Sequence, residues 1–221
     1  IFLNESFQQV KYSYSPRYKG FKLGNLNKQK TRFKSIRNYP ENTDVIVNYV
    51  YDSKYPASRG GQAVTDSRTV NIVVQHSLIK MPDDNYSPRF DDTRVGYFTT
   101  QSNHMTSVDQ VNYRDFINRW NLVKKDPDKE LSEPVKPITW WIENTTPHEF
   151  RQIIKDGVES WNLAFKDAGF INAIEVKIQP DTADWDAGDI RYNVLRWTSS
   201  PRPPWGGYGP SFVNPRTGEI I

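Results

Sequence analysis

Three histidines, at positions 76, 104 and 148, are the only nitrogen ligands this 221-residue chain could offer a transition metal, and it has no cysteine to supply a thiolate. The pair His148-Glu149 begins as a zinc-protease helix would, H-E-x-x-H, but Gln152 stands where the second histidine belongs, so a ligand is missing. His76 lies in an apolar run and reads as a packed or hydrogen-bonded side chain. His104 lies in a polar turn and reads as solvated. Asp181, Asp184 and Asp186 are spaced closely enough to interest calcium, yet they fit no EF-hand loop and read as an acidic turn. Asp91 and Asp92, just before Arg94, read as a turn with an ion pair. Gly206-Gly207-Tyr208-Gly209 has neither the Lys-Ser/Thr nor the following helix of a phosphate loop. On its residues alone the chain carries no complete catalytic set and no metal site.

The element that must organise any site is a helix predicted over residues 147–168. Thr146 suits the N-cap, Pro147 the first helical position, and Glu149 completes a capping box. Phe150, Ile154, Trp161, Phe165 and Ala168 recur at helical spacing, with Ile153 and Val158 beside them, and Gly169 marks the end. Strand-like runs at 137–142 and 173–178 flank the helix, which predicts a strand–helix–strand unit. Beyond it, residues 189–195 alternate as a strand. Residues 205–213 form a glycine-broken extended segment, residues 214–218 a turn, and another strand starts at Glu219. Glycines in an extended segment let a second backbone approach closely. Gly206, Gly207, Tyr208, Gly209, Pro210 and Ser211 are therefore the candidate ledge for an extended peptide.

Earlier in the chain, β signals dominate. Residues 10–14 alternate weakly, 18–26 look like a hairpin, and 44–51 have the β-branched and aromatic density of a strand. Residues 68–79 are the longest strand candidate, with Val70, Ile72 and Val74 on one face and 44–51 as the natural partner. A short strand is expected at 94–100, and residues 113–123 fit either a strand or a short helix. The charged, proline-interrupted stretch through 124–137 reads as a linker. The expected organisation is α+β: a β-rich N-terminal domain over 1–128, then a domain over 137–221. A net charge of +3 with Lys and Arg read as scattered argues against nucleic acid, and no run approaches the ~20 apolar residues of a membrane span.

Several segments together resemble the zinc-dependent metalloproteases known mainly from Bacteroidetes, whose catalytic part is metzincin-like. They are His76-Ser-Leu-Ile-Lys-Met-Pro82, the run from Ser87 to Phe98, Phe116-Ile-Asn-Arg-Trp-Asn-Leu122, and Lys136-Pro-Ile-Thr-Trp-Trp-Ile142. The series continues with the run from Gly157 to Phe170, Asp189-Ile-Arg-Tyr192, and Asn214-Pro-Arg-Thr-Gly-Glu-Ile220. The resemblance implies that residues 137–221 form the upper part of a metzincin-like domain, a twisted mixed sheet under one long helix. Its edge strand, here Gly206 to Ser211, would hold peptide or protein substrate. The zinc helix would follow the strand beginning at Gly218, so the chain is expected to be a fragment, inactive alone, with zinc bound only in the complete protein. Its expected setting is extracytoplasmic, with a missing C-terminal part or other envelope proteins as further partners. The alternative is a non-catalytic surface module for glycans or protein partners, using Trp185, Trp197, Trp205 and Tyr208 as aromatic platforms.

Overall fold

The computed structural model describes residues 24–56, 66–83, 85–199 and 206–221. The expected strand at 10–14, most of the one at 18–26, and Trp205 lie outside these residues. The chain divides into two compact units, Ile1–Lys80 and Met81–Ile221. Residues 81–128 belong to the second of these units.

The first unit is an antiparallel sheet of β1 (Asn25–Leu26), β2 (Arg32–Asn38), β3 (Asn42–Asp52) and β4 (Thr69–Ile79). β3 is its axis. β4 pairs along its whole length, and β1 and β2 follow one another along its other side. The expected hairpin of the two longest strands is present, and their β-branched residues explain why it could be read. Opposed residues share a face, so Val45, Val47 and Tyr49 meet His76, Val74 and Ile72 on the apolar side. The first three are buried, with Leu26, Tyr51 and Val74 packed on them. Asp44, buried on the other face, accepts hydrogen bonds from Gln75 Nε2 at 2.9 Å and Asn42 Nδ2 at 3.3 Å. A buried carboxylate requires such partners.

The second unit opens with a hairpin of β5 (Thr99–Asn103) and β6 (Tyr113–Ile117). The strand expected at 94–100 therefore starts later, and the segment from Tyr113 begins as strand rather than helix. The stretch 124–137 is folded instead of being a free linker. Lys125 N–H donates to Glu133 O (2.9 Å), Val135 N–H to Val123 O (2.8 Å) and Ile171 N–H to Ser132 O (3.1 Å), while Ser132 is buried. The Lys124 ammonium donates to the carbonyls of Lys129 and Glu130. Charge and proline predicted exposure here, but backbone pairing satisfied the loop internally.

β7 (Ile138–Ile142), α1 (His148–Glu159), α2 (Asn162–Asp167), β8 (Ile174–Ile178) and β9 (Asn193–Leu195) complete the α+β fold. β7 lies between β8 and β9 and pairs with both in parallel. This sheet was expected to be mixed, and its three strands are parallel. α1 crosses between β7 and β8 and packs on β8, as the strand–helix–strand pattern predicted, and Ile138, Ile142, Ala173, Ile174 and Val176 are buried. Two details of the helix differ from expectation. It breaks at Ser160-Trp161 into two pieces, and no side-chain hydrogen bond caps its start at Pro147. Thr146 is buried in a turn, its N–H donating to Glu143 O at 2.9 Å and its carbonyl accepting from Arg151 Nε at 2.8 Å. The tertiary turn displaced the local capping box.

Candidate functional site

The break in the helix places two side chains on the outer edge of β8. Asn162 Nδ2 donates to Ile174 O at 2.9 Å while its Oδ1 accepts Ile174 N–H at 3.0 Å. Glu159 Oε1 accepts Val176 N–H at 3.2 Å. The helix thus closes β8 as a further strand would. The opposite edge of the sheet is β9, which pairs only with β7 among the described residues.

One sheet face carries an aromatic layer that fixes β9. Trp185 stacks on Tyr192 with ring centroids 3.8 Å apart, and both meet Trp141 edge-on at 5.2 and 6.0 Å. Lys177 and Arg191 lie over the Trp141 and Tyr192 rings at 5.8 and 5.4 Å, within cation–π reach. Asp189, 2% exposed, takes a forked ion pair from Arg191 at 2.7–3.2 Å. Those hydrogen bonds hold its carboxyl below the usual aspartate range. Gln179 pins the same loop, donating to Trp185 O at 3.0 Å and accepting Asn144 N–H at 3.3 Å. Asp186 caps a turn by accepting Gly188 N–H at 2.7 Å. The acidic loop is therefore a support for β9, and Trp185, half-buried, packs on Tyr192 and Trp141.

After β9 the described chain resumes at the candidate ledge. Gly206, Gly207, Tyr208, Gly209, Pro210 and Ser211 are all exposed and take part in no strand pairing. Tyr208 is 80% exposed. A Cβ on any of the three glycines would meet nothing within 4 Å among the described residues, so none of these requires glycine there. The ledge runs into a terminal hairpin in which Ile221 N–H donates to Phe212 O (3.0 Å) and Asn214 N–H to Glu219 O (2.8 Å). Arg119 clamps that hairpin, its N–H donating to Gly218 O at 3.1 Å and its carbonyl accepting Ile220 N–H at 3.0 Å. The strand expected from Glu219 is present only as these bridges.

The histidines do not converge. His76 Nε2 is hydrogen-bonded to Tyr49 OH at 2.9 Å, as its strand setting suggested. His104 Nε2 lies 3.3 Å from Thr106 Oγ1 in the β5–β6 loop, and His148 opens α1. Among the described residues no three His, Asp or Glu side chains gather where they could hold a metal, so the residues present do not fit zinc. Asp92 and Arg94 form the expected ion pair.

Sequence reasoning missed the charge distribution. Between Glu5 and Glu41 lie nine Lys and Arg residues and no carboxylate, so the cations are not scattered. Among the described residues of that run, Arg32 and Lys34 of β2 lie on one side of a shallow depression of about 330 Å³ lined by Arg32, Phe33, Lys34, Asn48, Asn71 and Val73.

The sequence profile of a family described as a domain of unknown function, DUF5117, matches residues 2–125, and the chain belongs to that family. No curated protein and no solved structure matches the chain. Among the described residues no helix is long and apolar enough to cross a membrane.

Proposed function

We propose that the chain is the substrate-holding, non-catalytic part of an extracytoplasmic zinc-dependent metallopeptidase of the Bacteroidetes type it resembles. The observation that carries this reading is the order of elements in residues 137–221. A strand, a covering helix and further strands lead to a sheet with one edge closed by Glu159 and Asn162 and the other, β9, open. An edge such as β9, unpaired on its outer side among the described residues, suits an extended peptide, which would add main-chain hydrogen bonds there. The exposed, glycine-rich backbone of 206–211 would let a second backbone approach closely. Zinc and the general base would come from residues outside 1–221, and no step of the chemistry is assigned to side chains of this chain.

The test uses the full-length protein. Metal content is measured, and hydrolysis of an unfolded protein substrate is followed with and without a zinc chelator. Chelator-sensitive cleavage is expected, and its absence removes the peptidase reading. In that enzyme Gly207→Val with Gly209→Val should raise KM while leaving stability unchanged, because both sites face open space. Unchanged peptide kinetics would remove the ledge alone.

A second reading, a surface binding module, is favoured by Trp197 and Tyr208. Trp197 stacks on Phe150 at 5.0 Å yet stays 42% exposed. A neutral-glycan array on the full chain, lost in Trp197→Ala, would support that module.

A further inference from the structure

The depression on the first unit has the makings of a binding site that neither reading above uses. Arg32 and Asn48 are opposed across β2 and β3 and so share a face. Asn48 is in turn opposed to Val73, and Asn71 is opposed to Val50 two positions away on that same face. Lys34 belongs to a β-bulge: Phe33 pairs with Val47 and Ser35 with Ile46, leaving Lys34 without a partner. Bulges re-aim side chains, and this one puts a second cation on the rim beside Arg32. Among the described residues, none of the side chains of Arg32, Lys34, Asn48 and Asn71 has a hydrogen bond or ion pair. Their neighbour Lys30, by contrast, is paired with Asp52 at 2.8 Å. Two such cations, two such amides and the half-exposed apolar surface of Val73 therefore meet in one concavity, with Phe33 also in its lining.

We infer that this depression binds an acidic sugar, a pyranose bearing carboxylate or sulfate. Each part of the wall matches a part of that ligand. The guanidinium and ammonium groups suit the anion. The amides donate and accept, as ring hydroxyls require. Val73, 53% exposed on that face, offers an apolar surface to the C–H face of the sugar. The volume lies at the low end of small-molecule sites, which begin near ~300 Å³. A long nucleic acid fits less well, because its affinity grows with the number of phosphates neutralised, and only two free cations line the wall. The inference does not depend on the peptidase reading.

Affinity electrophoresis of the full chain tests it, with polygalacturonate and dextran sulfate as the carboxylated and sulfated arms. Dextran, polyglutamate and poly-U serve as comparisons. Retardation is expected in at least one acidic-sugar arm and none in dextran. Arg32→Gln with Lys34→Gln should weaken it about tenfold or more, the loss expected for charged hydrogen bonds. Lys125→Gln with Lys136→Gln removes the same charge elsewhere and should change nothing. Asn48→Ala with Asn71→Ala keeps the net charge and should still weaken binding several-fold. Absence of retardation by both acidic polysaccharides overturns the proposal. So does equal loss in the two charge-neutralised variants, full binding in the Asn48/Asn71 variant, or tighter binding to polyglutamate or poly-U. Circular dichroism of each variant confirms that the loss is not unfolding.

Discussion

Gly218 is a residue at which this fold tolerates little. Its φ of +78° lies in the left-handed region, and a Cβ there would sit 2.5 Å from Ile117 O and 2.9 Å from Phe116 Cβ. Backbone cannot yield as a flexible side chain can, so Gly218→Ala combines conformational strain with overlap. It should cost about 2–4 kcal/mol, read as a lowered urea midpoint, whereas Gly206→Ala should leave the midpoint unchanged. An equal response at both positions would contradict the clamp of the terminal hairpin on residues 116–119. His76 gives a second test of the same grain. Burial against the β3–β4 face pushes its pKa below the ordinary 6.5, because desolvation disfavours imidazolium. The unfolded state therefore binds this proton first. Stability contributed by neutral His76 is full above about pH 6.5 and falls as pH drops through the lower folded value. His76→Gln cannot titrate, so the stability difference between wild type and this variant should shift against the wild type on going from neutral pH to below 6. A pH-independent difference would show that His76 has an unshifted pKa.

Among the elements, the edge of β8 is the most informative. One side chain, Asn162, supplies both a donor and an acceptor to Ile174, so Asn162→Leu leaves two backbone groups without protein partners. A cost of about 1–3 kcal/mol is expected, with faster amide exchange at Ile174 than at Ile142 in the central strand. Protection unchanged at Ile174 would mean that the helix is not what seals this edge. This contact also explains how far the elements could be read from the sequence. β3, β4, β7 and β8 were legible because β-branched and aromatic residues recur in them, and the helix because Phe150, Ile154 and Phe165 keep its period. The break after Glu159 was not legible, since its cause, Asn162 reaching a strand twelve residues away, leaves no local signature. The capping box failed similarly: Thr146 obeys a turn set by Glu143 and Arg151. The folded course of 124–137 depends on the pairing of Ser132 with residues 169–171, just after α2, which charge and proline content do not encode. As for the candidate site, the glycine ledge was visible as composition. The basic depression was hidden, because its lining converges only through strand register and a bulge.

The whole molecule carries two cores that report through different chromophores. All seven Trp lie between residues 120 and 205, within the second unit, while the first is built on Val45, Val47 and Tyr49. Tryptophan fluorescence therefore follows the sheet of β7, β8 and β9, and the antiparallel sheet is seen by far-ultraviolet circular dichroism. Val47 and Ile142 are both fully buried, one in each core. Truncation to alanine removes methyl groups from close-packed surroundings and leaves a cavity, at about 2 kcal/mol for Val47→Ala and about 2–5 kcal/mol for Ile142→Ala. Because the two residues belong to different compact units, Val47→Ala should lower the urea midpoint of part of the dichroism signal and leave the fluorescence midpoint in place. Ile142→Ala should do the reverse. A fluorescence midpoint that moves with Val47→Ala would show that the two cores melt as one cooperative body, and the division at Lys80 would then have no thermodynamic meaning.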